Sequence, residues 1–402
     1  MRSFGIPWMV LWLAAGCASE AGKGATSADV FPSDGESGEE VVDGSGDADV
    51  AVPDADVAVP DADVAVPDTD VAGPDGDVGV QDGDVGVQDA DVAEGAGTLD
   101  EQLQFQHIQA LGTHNSYHLE PLTSWIVGEW AYSHLPLEQQ AEFQGVRQFE
   151  LDLYYQAADG IFGVFHIPLV DKESTCVTFQ ECLSHLKVFS DAYPEHHPMV
   201  VMMEIKSELV TMDAASLLVD LEARALEVWP VERLIRPDDV RGDSANLRDA
   251  IAEKGWPSLG ELRGRILLML HTGGELRDVY TEGLTTTEGR VFFPDAYGDL
   301  SLPIAGIHSI NGPIGGFDKI QTVVSAGHLV RTRGDADSEE AKAVDYMRFQ
   351  AALDSGAHFI STDYPFPGDE FNYGVVIPGG NPSRCNPITA PSECSAEALE
   401  DL

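Results

Sequence analysis

Residues 146–154 read VRQFELDLY and residues 199–206 read MVVMMEIK. Side chains of an extended strand alternate between two faces. The first run therefore puts Glu150 and Asp152 on one face and Phe149, Leu151 and Leu153 on the other. The second aims Glu204 and Lys206 one way and Val201, Met203 and Ile205 the other. Strands with an apolar outer face, and with polar residues on the inner face near their C-terminal ends, suit a barrel whose wall packs on helices and whose mouth holds a site. Two like charges at such close spacing are costly unless a cation or a proton neutralises them, which points to a metal.

Six more β-rich runs accompany these two: IQALGTH, GVFHI, GRILLMLH, AGIHSI, HLVRTRG and HFISTDYP. Helical patterns fall between several of them, at 178–193, 214–228 and 339–355. Eight strands alternating with helices predict an α/β fold, a TIM-type (β/α) barrel, over residues 98–402. Two of the runs lie close together and AGIHSI is weak, so an incomplete or irregular barrel is expected.

The chain upstream has a different character. Residues 1–17, MRSFGIPWMVLWLAAGC, have one early Arg, an apolar stretch and small residues before a Cys, the layout of a secretory signal. The apolar run is shorter than the ~20 residues a membrane span needs. The small residues leading into Cys17 resemble a bacterial lipobox, which would lipidate Cys17 and anchor the chain to a membrane. Ala14 stands where that motif most often has Leu, so ordinary cleavage near Ala18 is the alternative.

Residues 18–97 are dominated by Asp, Ala, Val, Gly and Pro and offer nothing to build a core. From Asp47 a seven-residue unit recurs, DADVAVP three times and then DTDVAGP, DGDVGVQ twice and DADVAEG. One apolar position per unit, with Pro or Gly in most copies, excludes a coiled coil. The Asp-x-Asp pairs lack the spaced oxygens and closing Glu of an EF-hand loop. A solvated, disordered acidic tether is the expectation, with a reach on the order of 50 Å. Export followed by a tether predicts an envelope lipoprotein or a secreted protein.

The formal charge of −47 makes nucleic acid an unsuitable partner. Cys176 and Cys182 are close in sequence, as are Cys385 and Cys394. In an exported chain, two local disulfides are the leading pairing, with zinc ligation the rival.

Asn115 ends the first run, in LGTHNSYHL at 111–119. With Glu150, Asp152 and Glu204 it makes three carboxylates and an amide oxygen, a donor set for Ca²⁺ or Mg²⁺. His114 and His166 add two groups able to exchange protons near neutral pH. A lone histidine is more often a core or surface group, and this chain has 12. What distinguishes these six polar residues is that each falls at or near a strand end.

The ordered motifs GTHNSYH, FELDLY, FH, MMEIK, VRTRGDAD and FISTDYP resemble the calcium-dependent phosphatidylinositol-specific phospholipase C family of bacteria, in the PLC-like phosphodiesterase superfamily of TIM barrels. The resemblance runs from Phe105 to Pro367. It implies catalytic roles for His114 and His166, calcium ligation by Asn115, Glu150, Asp152 and Glu204, and a phosphate-facing Lys206. It also implies a phospholipid or phosphodiester substrate.

If the last strand pairs with the first, Asp363 comes beside His114 and can orient its ring. A strand-end cap is the other role open to it. Arg331 and Arg333 alternate on the preceding strand, placed either to bind phosphate or to neutralise acids. Tyr364 is a candidate for stacking on a sugar ring, or a packed core aromatic. Two other functions compete with the phospholipase. A glycerophosphodiester phosphodiesterase would pair E-x-D with two histidines, but its usual His-Arg-Gly is replaced here by GTHNSY. A non-catalytic surface binding protein, expected like the enzyme to be monomeric, leaves the polar constellation unexplained.

Overall fold

The computed structural model describes residues 99–206, 212–366, 371–379, 382–394 and 399–400. The signal segment, Cys17 and the repeats of 18–97 lie outside them. The strands are β1 Ile108–Thr113, β2 Gln148–Gln156, β3 Ile161–Val164, β4 Met199–Ile205, β5 Leu234–Ile235, β6 Ile266–Leu270, β7 Phe293–Pro294, β8 Ile307–Ser309, β9 Leu329–Arg333, β10 Phe359–Thr362 and β11 Ser383–Cys385.

Parallel pairing runs β6–β4–β2–β1–β10–β9–β8, with β7 beside β6. A parallel bridge between Asp295 and Ile307 joins the end of β7 to β8 and closes the ring. The barrel wall is therefore β1, β2, β4, β6, β7, β8, β9 and β10, a TIM-like α/β architecture. Closure is weakest at this bridge and at β1–β2, where Gly112 and Gln148 are the paired residues. A Cβ on Gly112 would lie 2.2 Å from Gln148 Oε1, so any larger residue there would have to displace the Gln148 side chain, whose Oε1 accepts from Ser361.

Alternation sorts the strand residues as expected. Phe149, Leu151, Leu153, Val201, Met203 and Ile205 pack outward in one apolar cluster with the helices Phe179–Ala192 and Ala214–Val228. Inside, Ala110, Val200, Met202, Leu267, Met269, Phe293, Ile307, Leu329 and Phe359 fill the barrel floor. Thr178 and Asp213 cap those helices by accepting N–H bonds from Glu181 and Ser216, which sets where each begins. The third helical pattern is divided into Glu339–Ala343 and Met347–Asp354, because Val344 turns left-handed at φ 51°.

One strand assignment is corrected. The run GVFHI is not part of the barrel wall: β3 folds back antiparallel on β2, pairing Leu153 with Val164 and Gln156 with Ile161. The vacant wall position belongs to the two-residue β7. Both local disulfides are present, Cys176–Cys182 and Cys385–Cys394.

Beneath the barrel, Arg147 is wholly buried and donates from Nε and Nη2 to the Glu400 carboxylate, which is itself 4% exposed. Burial pushes the Glu400 carboxyl up, but the Arg147 charge and hydrogen bonds outweigh it and hold the group below its usual range. A depressed carboxylate stabilises the fold above its unfolded pKa and loses that contribution as pH falls. Glu400→Gln is expected to destabilise the barrel by about 3 kcal/mol, since it leaves a buried guanidinium without its counter-charge. Urea unfolding at neutral pH checks this, and a change within about 0.5 kcal/mol, the range of ordinary surface substitutions, would contradict it.

Candidate active site

Apart from His166 and Asp171, which follow β3, the polar side chains of the site come from wall strands or the loops after them, where barrel enzymes place their chemistry. His114 and Asn115 follow β1, Glu150 and Asp152 lie on β2, and Glu204 lies on β4 with Lys206 just beyond. Arg331 and Arg333 come from β9, and Asp363 follows β10. Asn115 is buried with φ 42°, a left-handed conformation that Asn adopts more readily than most residues.

The β1–β10 register sets Asp363 against His114. His114 Nδ1 donates to Asp363 Oδ1 at 2.8 Å, and Arg333 donates to Asp363 Oδ2 at 2.8 Å. Burial raises the Asp363 carboxyl, but Arg333 and His114 overcome this and keep it ionised. A carboxylate only accepts, so the proton sits on His114 Nδ1 and Nε2 is the nitrogen able to take another. Burial and the Arg333 charge lower the His114 pKa against the pull of Asp363 and Glu150, so the ring is neutral at neutral pH.

Three carboxylates converge beside it. Burial opposes ionisation of Glu150, yet Arg331 with His114, His271 and Arg333 brings it to about 2. Glu204 Oε1 and Asp152 Oδ2 are 2.9 and 3.5 Å from Lys206 Nζ. Both Asp152 oxygens are buried and, among the described residues, accept no hydrogen bond. Burial, with Glu204 and Glu150 nearby, pushes Asp152 up to about 7 although Lys206 and His166 pull it down. A buried carboxylate without hydrogen-bond partners, next to two more carboxylates, is what a calcium ion would satisfy.

The second histidine sits in a network of its own. His166 Nδ1 is 2.7 Å from Asp171 Oδ2, and His118 Nε2 is 3.0 Å from the same oxygen. His166 lies within electrostatic reach of Asp152 and His114 within reach of Glu150, so the two rings border one cluster of carboxylates.

Two arginine and tyrosine placements narrow the choices left by sequence. Arg331 is 1% exposed and is engaged by Glu150, Asn311 and Ser361, so its guanidinium neutralises an acid inside the barrel. Tyr364 is also 1% exposed, donates to Ser338 and packs among Tyr132, Phe371 and Tyr373. Its ring presents no open face to a sugar: of the two roles open to it Tyr364 takes that of a packed core aromatic, and its placement among the substrate-binding residues is corrected.

Sequence reasoning missed His271, Asp295 and Asp171. A His271 ring nitrogen lies within 4.8 Å of carboxylate oxygens of Glu150 and Glu204. Asp295 anchors that ring at 2.7 Å and also receives Ser309. The period of two in GRILLMLH puts His271 inward with Leu267 and Met269, a signal available in the run itself.

The parallel barrel gathers clustered carboxylates and two carboxylate-paired histidines at its mouth. A profile of the family described as "Phosphoinositide phospholipase C, Ca2+-dependent" matches residues 103–163 and 161–387. The chain belongs to that family, which makes it a phospholipase C-like phosphodiesterase with calcium as its cofactor. Its fold is similar to a calcium-dependent phosphoinositol-specific phospholipase C from a Pseudomonas species, in an apo crystal form, with TM-score 0.53 and 18% identity over 72% of this chain and 97% of that one. The myo-inositol complex of the Pseudomonas enzyme gives TM-score 0.52 and 18% identity over 71% and 96%. The calcium-dependent enzyme of Streptomyces antibioticus gives TM-score 0.47 and 18% identity over 65% and 95%. No curated protein sequence matches significantly.

Proposed function

We propose that this protein cleaves the glycerol–phosphate bond of phosphatidylinositol, or of a closely related inositol phosphodiester, by acid–base catalysis with calcium. The observation that carries this is Asp152, whose two buried oxygens have no hydrogen-bond partner among the described residues and lie beside Glu150, Glu204 and Lys206. Asn115, Glu150, Asp152 and Glu204 are the residues proposed to hold the ion. Bound there, calcium supplies positive charge to the anionic phosphate and favours ionisation of the attacking hydroxyl.

The chain's own groups move the protons. His114, held by Asp363 with its Nδ1–H occupied, offers Nε2 to the inositol 2-hydroxyl. Attack by that oxygen on phosphorus forms one P–O bond as the bond to glycerol breaks. His166 delivers a proton to the departing glycerol oxygen, so the products are a cyclic inositol phosphate and diacylglycerol. Lys206 and Arg333 are proposed to face the phosphate, and Arg331 acts on the site through Glu150. Export and tethering are part of the same reading: residues 1–17 have a signal layout and the two disulfides suit an oxidising compartment.

The test is turnover of phosphatidylinositol, lysophosphatidylinositol and glycerophosphodiesters with and without calcium, followed by ³¹P NMR. Calcium-dependent appearance of a cyclic phosphate before any acyclic one is the expected result. Acyclic phosphate alone from the first time point would mean water attack and overturn the proposed nucleophile. Turnover confined to glycerophosphodiesters would overturn the substrate class.

A further inference from the structure

Asp171 takes no part in the chemistry just described, yet it is 1% exposed and one of its oxygens meets two histidines. Burial raises its carboxyl, but the hydrogen bonds and charges of His118 and His166 outweigh this and keep it ionised. As a carboxylate, it can only accept. His166 must therefore present Nδ1–H to it. His118 is held on its other side, where Nδ1 is 3.1 Å from the Tyr132 carbonyl oxygen. The His118 ring thus spans from the loop after β1 to Asp171 and braces the carboxylate from behind.

The backbone around Asp171 is built to the same end. Ile167 and Asp171 exchange both N–H···O=C bonds, at 2.9 and 3.1 Å, which closes a tight hairpin beginning one residue after His166. At its tip Pro168 is followed by Leu169 with φ 72°, a left-handed conformation in which glycine is the ordinary occupant. Leu169 is 91% exposed, so no burial of its side chain explains its presence there. The strained tip returns the chain so that Asp171 lies beside the His166 ring.

We infer that Asp171, braced by His118, is the positioning residue of the second proton-transfer group: it fixes His166 as the Nδ1–H tautomer and leaves proton exchange to Nε2. This rests on the proposed acid role of His166. The geometry mirrors the His114–Asp363 pair across the mouth, but with the carboxylate supplied by the β3 hairpin rather than by a wall strand. Each histidine then has its own orienting acid, and neither orientation depends on the other.

The experiment reads the tautomer directly. Long-range ¹H–¹⁵N correlation spectra of calcium-loaded, ¹⁵N-histidine-labelled protein at mildly alkaline pH should show His166 as Nδ1–H, its signal assigned by its loss in His166→Gln. In Asp171→Ala the Nε2–H form should dominate. Asp171→Asn, which keeps the shape but not the charge, should give a mixture and serves if the alanine variant does not fold. Turnover on phosphatidylinositol should fall on the order of 10²-fold in Asp171→Ala with KM nearly unchanged, while a diester with a low-pKa leaving group loses much less. Nδ1–H remaining dominant in both variants would overturn the inference, as would a loss confined to KM. A changed tautomer with undiminished turnover would instead uphold the positioning and overturn the acid role of His166.

Discussion

Asp152→Asn is expected to lower turnover at limiting calcium by on the order of 10²-fold or more, with partial recovery as calcium is raised, and excess chelator should reduce the wild type to background. The reason lies in the electrostatics of this carboxylate, which has Lys206 as an ion-pair partner. Its oxygens have no hydrogen-bond partner among the described residues, and burial together with Glu204 and Glu150 raises its pKa to about 7 against the pull of Lys206. Calcium needs the ionised form, so binding must expel whatever proton Asp152 holds. Below its pKa the proton competes with the ion, and above it the competition is gone. Calcium affinity should therefore rise between about pH 6 and about pH 8 and then level off. Asn cannot titrate, so the variant should bind weakly with a flatter pH dependence. Isothermal titration at several pH values measures both. A wild-type affinity independent of pH, or full activity in chelator, would refute the calcium ligation proposed for Asp152.

His166→Ala should cost on the order of 10³-fold in turnover of phosphatidylinositol while leaving calcium binding near wild type. A glycerol alkoxide is a poor leaving group and needs its proton as the bond breaks. A phenol-type leaving group of low pKa departs without one, so the same variant should lose far less on such a diester. The asymmetry follows from the acid role. Loss of His114, placed to take the nucleophile's proton, should instead be felt on both substrates, because both require the same attack. Paired kcat measurements with calcium held saturating decide the matter, and equal losses of His166→Ala on the two substrates would sink the assignment.

Glu150, Asp152 and Glu204 were legible in the sequence because they sit on long strands whose alternation is unambiguous and whose outer faces are strongly apolar. Asp363 was legible as a neighbour of His114 because barrel closure brings the last strand to the first. The run GVFHI reads as a wall strand because periodicity carries no direction. The connection from β2 to β3, residues 157–160, held the missing clue: it is too short for a parallel crossover and suits a hairpin. The wall strand that replaces it, Phe293–Pro294, has two residues and a proline, below what pattern reading can detect. Asp171 and Asp295 were invisible for a related reason. Both are placed by loops and short strands, so their partners are set by tertiary closure rather than by any local period.

The pairing of β1 also dictates an order of assembly. Apart from the contact at Gly112, its ladder partners are β10 and β11, at 359–362 and 383–385. The first wall strand to be made thus meets β2 only around Leu111 and Gly112 and waits for more than two hundred residues of chain before the rest of its edges are covered, and closing so large a loop is entropically slow. Until then β1 offers open N–H and C=O groups to any neighbouring chain. A nascent or truncated molecule ending before Phe359 is consequently not a smaller barrel but an unzipped sheet, and the vulnerable interval in this protein's life is the one before its final strands arrive.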